Sequence, residues 1–188
     1  MSTTEALLTA EAFCRLPDLG YSAELVRGQI EMMNVPSVWH GIVCNRIGRV
    51  LGNFVDEHNL GWVVNNDSGV ITERDPDTVR GADVAFYSYA RLPRDTHPEG
   101  YATVPPEIVF EVASPSDRSG KILKKVAEYL NAGVDAVCVV DPESETVQVF
   151  RKDQPTSKIA PPALSGDDEL TLPGILPGFS AAVSQFFR

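Results

Sequence analysis

The sequence predicts an α/β fold with a mixed central sheet flanked by helices. Residues 107–140 read as strand, helix, strand, and a helical crossover makes such a pair parallel with a right-handed connection. Upstream, an amphipathic helical stretch precedes short apolar runs divided by turn residues, the pattern of antiparallel strands. A chain of 188 residues, 43% hydrophobic and 22% charged, fits one domain over residues 1–188 with a single core. Residues 1–20 and 154–188 read as peripheral extensions.

In chain order, residues 9–15 form a short helix stopped before Pro17. Residues 24–33 alternate loosely about Gly28, as a hairpin or bent strand pair does. Ser37 is the N-cap of a helix reaching about residue 58. Along it Trp39, Val43, Ile47, Val50, Leu51 and Phe54 recur at three and four, an apolar stripe. Strands follow at 62–65, 69–73, 82–87 and 107–113. Residues 116–132 are helical, capped by Ser114 and Ser116 and closed by Gly133. Residues 134–140 are a continuous apolar run, hence a buried strand. The turn Asp141-Pro142-Glu143-Ser144 leads to a last strand at 145–151, and the Pro/Gly-rich tail of 154–178 ends in a short helix near 181–187.

Sixteen Lys plus Arg against 26 Asp plus Glu give a net charge of −10. Such a surface repels phosphate at long range and excludes a passive coat on nucleic acid, while leaving room for an enzyme with a local basic groove. No stretch reaches the ~18 apolar residues of a membrane span, and the N-terminus lacks the basic start of a secretory signal. Cys14, Cys44 and Cys138 are odd in number and widely spaced, which fits reduced thiols of a cytoplasmic protein. His40, His58 and His97 read as having no cysteine or histidine partner at zinc-ligand spacing.

Two acids interrupt strands that otherwise read as buried. Asp83 shares a face with Ala85 and Tyr87, and Glu111 with Val109 and Ala113. Buried carboxylates are costly unless paired or bound to a cation, and two on neighbouring strands repel each other; a divalent metal resolves both problems. Each acid taken alone is more often structural, at a strand end or bonded to loop amides. In the following helix Ile122, Leu123, Val126, Tyr129 and Leu130 mark the buried stripe. At ~100° per residue, Lys125 lies on its edge and can reach the sheet, whereas Lys121 and Lys124 point away. His40 falls on the stripe face of the first long helix, where a hydrogen-bonded core histidine and a site residue are both open readings.

These residues resemble the PD-(D/E)XK nuclease superfamily and, within it, the Uma2-like (DUF820) family of restriction endonuclease-like proteins. The resemblance spans residues 24–187. It rests on Ala23-Glu24-Leu25-Val26-Arg27-Gly28, Pro36-Ser37 with His40, Ala82-Asp83-Val84, the block from Pro106 to Ser116, Lys125, Tyr129, Gly133-Val134, Val140-Asp141-Pro142, Pro173-Gly174 and Pro177-Gly178-Phe179. It implies a PD-(D/E)XK core in which Asp83, Glu111 and the backbone carbonyl of Val112 bind Mg²⁺ (or Mn²⁺). Ala113 stands where the usual pattern carries its lysine, and the matching lysine is Lys125. Glu24, in a family-matching segment, is a further candidate catalytic residue, as is His40.

The implied activity is metal-dependent endonucleolytic hydrolysis of DNA, with a homodimer supplying two sites for two strands. The alternatives are an inactive scaffold or assembly protein of the same fold and, further off, a two-carboxylate hydrolase on another substrate. DNA contact must then be local: near Arg118, Lys121, Lys124 and Lys125, and in the arginine-bearing loops 74–80 and 91–101.

Overall fold

The computed structural model describes residues 6–114, 119–154 and 160–188. In chain order these form α1 (Ala10–Cys14), β1 (Ala23–Val26), β2 (Gln29–Met32), α2 (Val38–Glu57), β3 (Gly61–Glu73), β4 (Thr78–Ser88), β5 (Ile108–Val112), α3 (Ser119–Ala132), β6 (Ala136–Asp141), β7 (Thr146–Arg151), β8 (Leu164–Ser165), β9 (Glu169–Leu172), β10 (Leu176–Ala182) and a 3₁₀ turn (Val183–Phe186). Eight strands make one mixed sheet in the order β2-β1-β4-β5-β6-β7-β8, with β3 paired to β4. β5 and β6 are parallel, in register from Ile108↔Ala136 to Val112↔Val140, and α3 is the crossover between them. The expected α/β architecture is therefore the observed one.

Two main cores lie on the two faces of the sheet, and a smaller cluster gathers Ala10, Leu25 and Val79. α2 begins where Ser37 Oγ accepts a bond from the His40 N–H at 3.2 Å. It buries Val43, Ile47, Leu51 and Val55, each four residues on from the last, against Val84, Phe86, Ile108, Phe110 and Cys138. Trp39, expected on this stripe, is partly exposed in the first turn. On the other face α3 buries Val126 and Tyr129 against Ala85, Tyr87, Val109 and Val137. Leu123, also expected on a buried stripe, is half exposed. Each fully buried aliphatic side chain here stabilises the fold by roughly 1.5–3 kcal/mol relative to exposure. Gly133 ends α3 with φ +110°, a backbone angle that a side chain disfavours.

Three expectations change. The strands expected at 62–65 and 69–73 are one strand, β3, continuous through a bulge between Asn65 and Ser68. The strand expected from 82 begins at Thr78, so Arg80 belongs to the sheet and not to a loop. The tail set at the periphery instead forms β9 and β10 and supplies Leu170, Leu172, Leu176, Phe179 and Phe186 to the α2-side core. Gly166, Pro173 and Gly174 sit at turns, and Pro177 and Gly178 at a register shift in the β9–β10 ladder, where β structure accepts them. The Ser116 cap and Arg118 lie outside the described residues.

Candidate active site

β3 pairs with β4 along its whole length on one edge, but no single strand spans the other edge, and that gap opens the site. Along that other edge β4 pairs with β1 at Leu25↔Val79 and with β5 from Val84↔Phe110 onward. Residues 80–83 fall between these two pairings. Side chains take over there from backbone partners. The Gly81 N–H donates to Glu24 Oε1 at 3.1 Å, and the Val112 N–H donates to Asp83 Oδ2 at 2.7 Å. β4 and β5 thus diverge just short of Asp83 and Glu111, and both acids stand at the fork, each under a tenth exposed. The fork opens into a cleft of about 570 Å³ that is also lined by His40, Asp67, Lys121, Lys124 and Lys125.

α3 brings Lys125 in from one side. Its Nζ lies 3.1 Å from Glu111 Oε2 and 2.9 Å from Glu24 Oε1. Burial disfavours its charge, but Glu111 and Glu24 outweigh that and hold the ammonium well above its ordinary range. Lys125 is therefore a fixed cation. The hydroxyl of Tyr129, one turn further along α3, donates to Glu111 Oε1 at 2.7 Å. Burial raises the Glu111 carboxyl to about 7; the neighbouring Asp83 adds to the rise, and Lys125 and Tyr129 oppose it.

Behind Lys125 runs a buried ionic chain. Arg80 bonds Glu24 at 2.7 Å and Glu128 at 2.6 Å, with Arg80 and Glu24 both almost fully buried. In the arginine-bearing loops expected to contact DNA, Arg74 and Arg91 are ion-paired, while Arg94 lies exposed over the Tyr89 ring. Arg74 pairs with Glu11 and Asp77, and Arg91 with Glu107 and Asp135. Lys121 and Lys124 remain on the cleft wall, with Lys124 3.7 Å from Glu128.

α2 contributes His40 from the opposite side. Its Nε2 lies 3.0 Å from the Val112 carbonyl oxygen and 3.4 Å from Asp83 Oδ1, while Nδ1 lies 3.4 Å from Cys44 Sγ. Hydrogen bonding to Asp83, then to Cys44, raises the imidazole to about 10 against the opposing effect of burial. The expectation that no histidine meets a cysteine at ligand spacing is corrected here. His40 and Cys44 are four apart on a helix and so share a face, and with Asp83 they offer ligand atoms within 4.8 Å of one another.

Sequence reasoning also missed Asp67. It sits in the β3 bulge with φ 54°, next to Asn66 at φ 63°. Burial raises its carboxyl, with Asp83 adding to the rise. Gly81 lets the bulge close in, since a Cβ there would come within 3.0 Å of Asp67 Cβ. The gap that periodicity left between 65 and 69 was the one available signal.

Two carboxylates and a carbonyl oxygen at one forked ladder are oxygen donors suited to a hard divalent ion, with the Lys125 cation beside them. The mixed sheet, with its parallel β5–β6 pair joined by α3, is an α/β fold of the restriction endonuclease-like class. The chain belongs to the Uma2 family, described as putative restriction endonuclease, whose model matches residues 10–184. A solved structure described as a putative nuclease belonging to DUF820, from Anabaena variabilis ATCC 29413, matches with a TM-score of 0.77 at 19% sequence identity. The match covers 96% of this chain and 97% of that one, and it establishes a shared fold. No curated protein matches the chain. Among the described residues no helix is long and apolar enough to cross a membrane.

Proposed function

We propose that the protein is a divalent-metal-dependent endonuclease acting on DNA. The observation that carries this reading is the convergence of Asp83, Glu111 and Lys125 on one cleft, from two strands and a helix. Family and fold support a hydrolytic nuclease; the metal, the residue roles and DNA as substrate are the proposal.

Asp83 Oδ1, Glu111 and the Val112 carbonyl would hold Mg²⁺ or Mn²⁺, which when bound relieves charge on the phosphate and acidifies a water. Asp83 Oδ2 is engaged by the Val112 N–H, which fixes the carboxylate, and Oδ1 lies 3.4 Å from His40 Nε2. Both Glu111 oxygens accept a bond, from Tyr129 and Lys125, and each retains a lone pair. Lys125, held charged, sits where it can neutralise a phosphate oxygen rather than act as a base. Glu24 positions Lys125, and Arg80 holds Glu24. Lys121 and Lys124 offer backbone phosphates a local positive wall on an otherwise acidic protein.

A homodimer belongs to the same proposal, because cutting both strands calls for two sites related by a two-fold axis. A dimeric mass in light scattering supports it, and a monomeric mass at cleaving concentrations removes it. The activity is tested by nicking of supercoiled plasmid with added Mg²⁺ or Mn²⁺. Wild type nicks, while chelator or Asp83→Ala stops it. Nicking that ignores chelator or survives Asp83→Ala overturns the mechanism.

A further inference from the structure

His40 is poorly explained as a packing residue. Its ring reaches out of α2 past the core stripe, and Nε2 ends among the oxygens assigned above to the metal. Adjacent ligands of an octahedral ion bonded at about 2.1 Å lie about 3.0 Å apart. Nε2 is 3.0 Å from the Val112 carbonyl oxygen and 3.4 Å from Asp83 Oδ1, each close to the spacing of two neighbouring ligands on one ion. The other ring nitrogen is occupied, since Nδ1 lies 3.4 Å from Cys44 Sγ. Once Nε2 gives up its proton, a proton kept on Nδ1 and donated to that sulfur leaves the Nε2 lone pair for a metal; metal-binding histidines are commonly oriented by a partner on the second nitrogen in this way. Cys44 sits on the far nitrogen and is half-buried, so it is a positioning residue and not a ligand.

We propose that His40 Nε2 is a ligand of the metal, alongside Asp83, Glu111 and the Val112 carbonyl, and that the site consequently prefers Mn²⁺ to Mg²⁺. This rests on the metal-dependent reading above. Three oxygen donors alone suit Mg²⁺. An imidazole nitrogen shifts the balance, because Mg²⁺ takes nitrogen ligands reluctantly and Mn²⁺ accepts them. On binding, any proton on Nε2 passes to solvent as the lone pair turns to the ion, so the hydrogen bond to the Val112 carbonyl is exchanged for a shared ion.

The test uses the full chain and the metals alone. Pulsed electron paramagnetic resonance of the Mn²⁺-loaded wild type should show nitrogen-14 modulation from a directly bound imidazole, and His40→Gln should abolish it. Calorimetry should show His40→Gln weakening Mn²⁺ at least tenfold while changing Mg²⁺ less than threefold. Cys44→Ala should keep the nitrogen signal and weaken Mn²⁺ severalfold. Mn²⁺ bound to the wild type without nitrogen modulation, or with unchanged affinity in His40→Gln, overturns the inference and leaves the oxygen-ligand site standing. No Mn²⁺ or Mg²⁺ binding by the wild type overturns both. The wild-type spectrum involves no substitution, so a variant that fails to fold does not blunt the test.

Discussion

Two buried glutamates stand at opposite ends of β5, and they have opposite chemistry. Glu107, just before the strand, accepts the Ser88 N–H at 2.9 Å and the Ser88 hydroxyl, with Arg91 Nε 3.3 Å away. Arg91 also reaches Asp135 and the carbonyls of Pro106 and Gly133. The Ser88 and Arg91 groups that meet the Glu107 carboxylate are donors, and the acid closes a loop. Glu111 has Lys125 and Tyr129 as donors, but burial drives its carboxyl upward and Asp83, across the fork, adds to the rise. Burial alone therefore does not mark a functional acid. On the proposed reading, what sets Glu111 apart is a second carboxylate, Asp83, beside it.

This contrast can be broken by substitution. The largest effect belongs to the fork: Asp83→Asn or Glu111→Gln should lower plasmid nicking by about 10²–10³-fold with the fold retained by circular dichroism. Lys125→Met should lower nicking about 10²-fold while Mn²⁺ still binds in calorimetry, because the cation serves the phosphate and not the ion. Glu107→Ala should do the reverse. Urea unfolding should show a loss of about 2–3 kcal/mol from stranding Arg91 and Ser88, with nicking per folded molecule unchanged. Glu24→Gln should lower nicking about tenfold in kcat with little change in KM, since it loosens Lys125 without removing it.

The smallest effect is one of pH on the metal-free protein. The folded imidazole of His40 titrates near 10, above its ordinary value of 6.5. A raised pKa means that the charged ring stabilises the fold fully below about 6.5 and that this contribution fades as pH rises through about 10. With chelator present, Tm should fall across that window, and His40→Gln should flatten the fall.

How much of this was legible beforehand depended on whether a residue broke a period. Asp83, Glu111 and Lys125 did: two charges inside apolar strands and one on the edge of an apolar helical stripe. Asp67 and Arg80 did not. Asp67 owes its place to a bulge, which periodicity records only as a gap between two strands. Arg80 follows Asp75-Pro76-Asp77 and so reads as loop, yet it lies in β4 with its charge held by Glu24 and Glu128. Such a pairing is invisible until the strands are side by side. Cys44 was legible in principle, four residues beyond His40, but its meaning depends on a ring orientation that only packing sets. The tail strands were hidden because Pro and Gly signal turns equally well in loops and in a bulged hairpin.

The central claim is that the fork between β4 and β5 is a divalent-metal site. The most direct measurement is a crystal structure grown with Mn²⁺ and phased for its anomalous signal. One peak is expected at the fork, about 2.2 Å from Asp83 Oδ1 and the Val112 carbonyl oxygen, with Glu111 in the same shell. A fork without a peak while Mn²⁺ binds elsewhere, or a peak that persists in Asp83→Ala crystals, contradicts it.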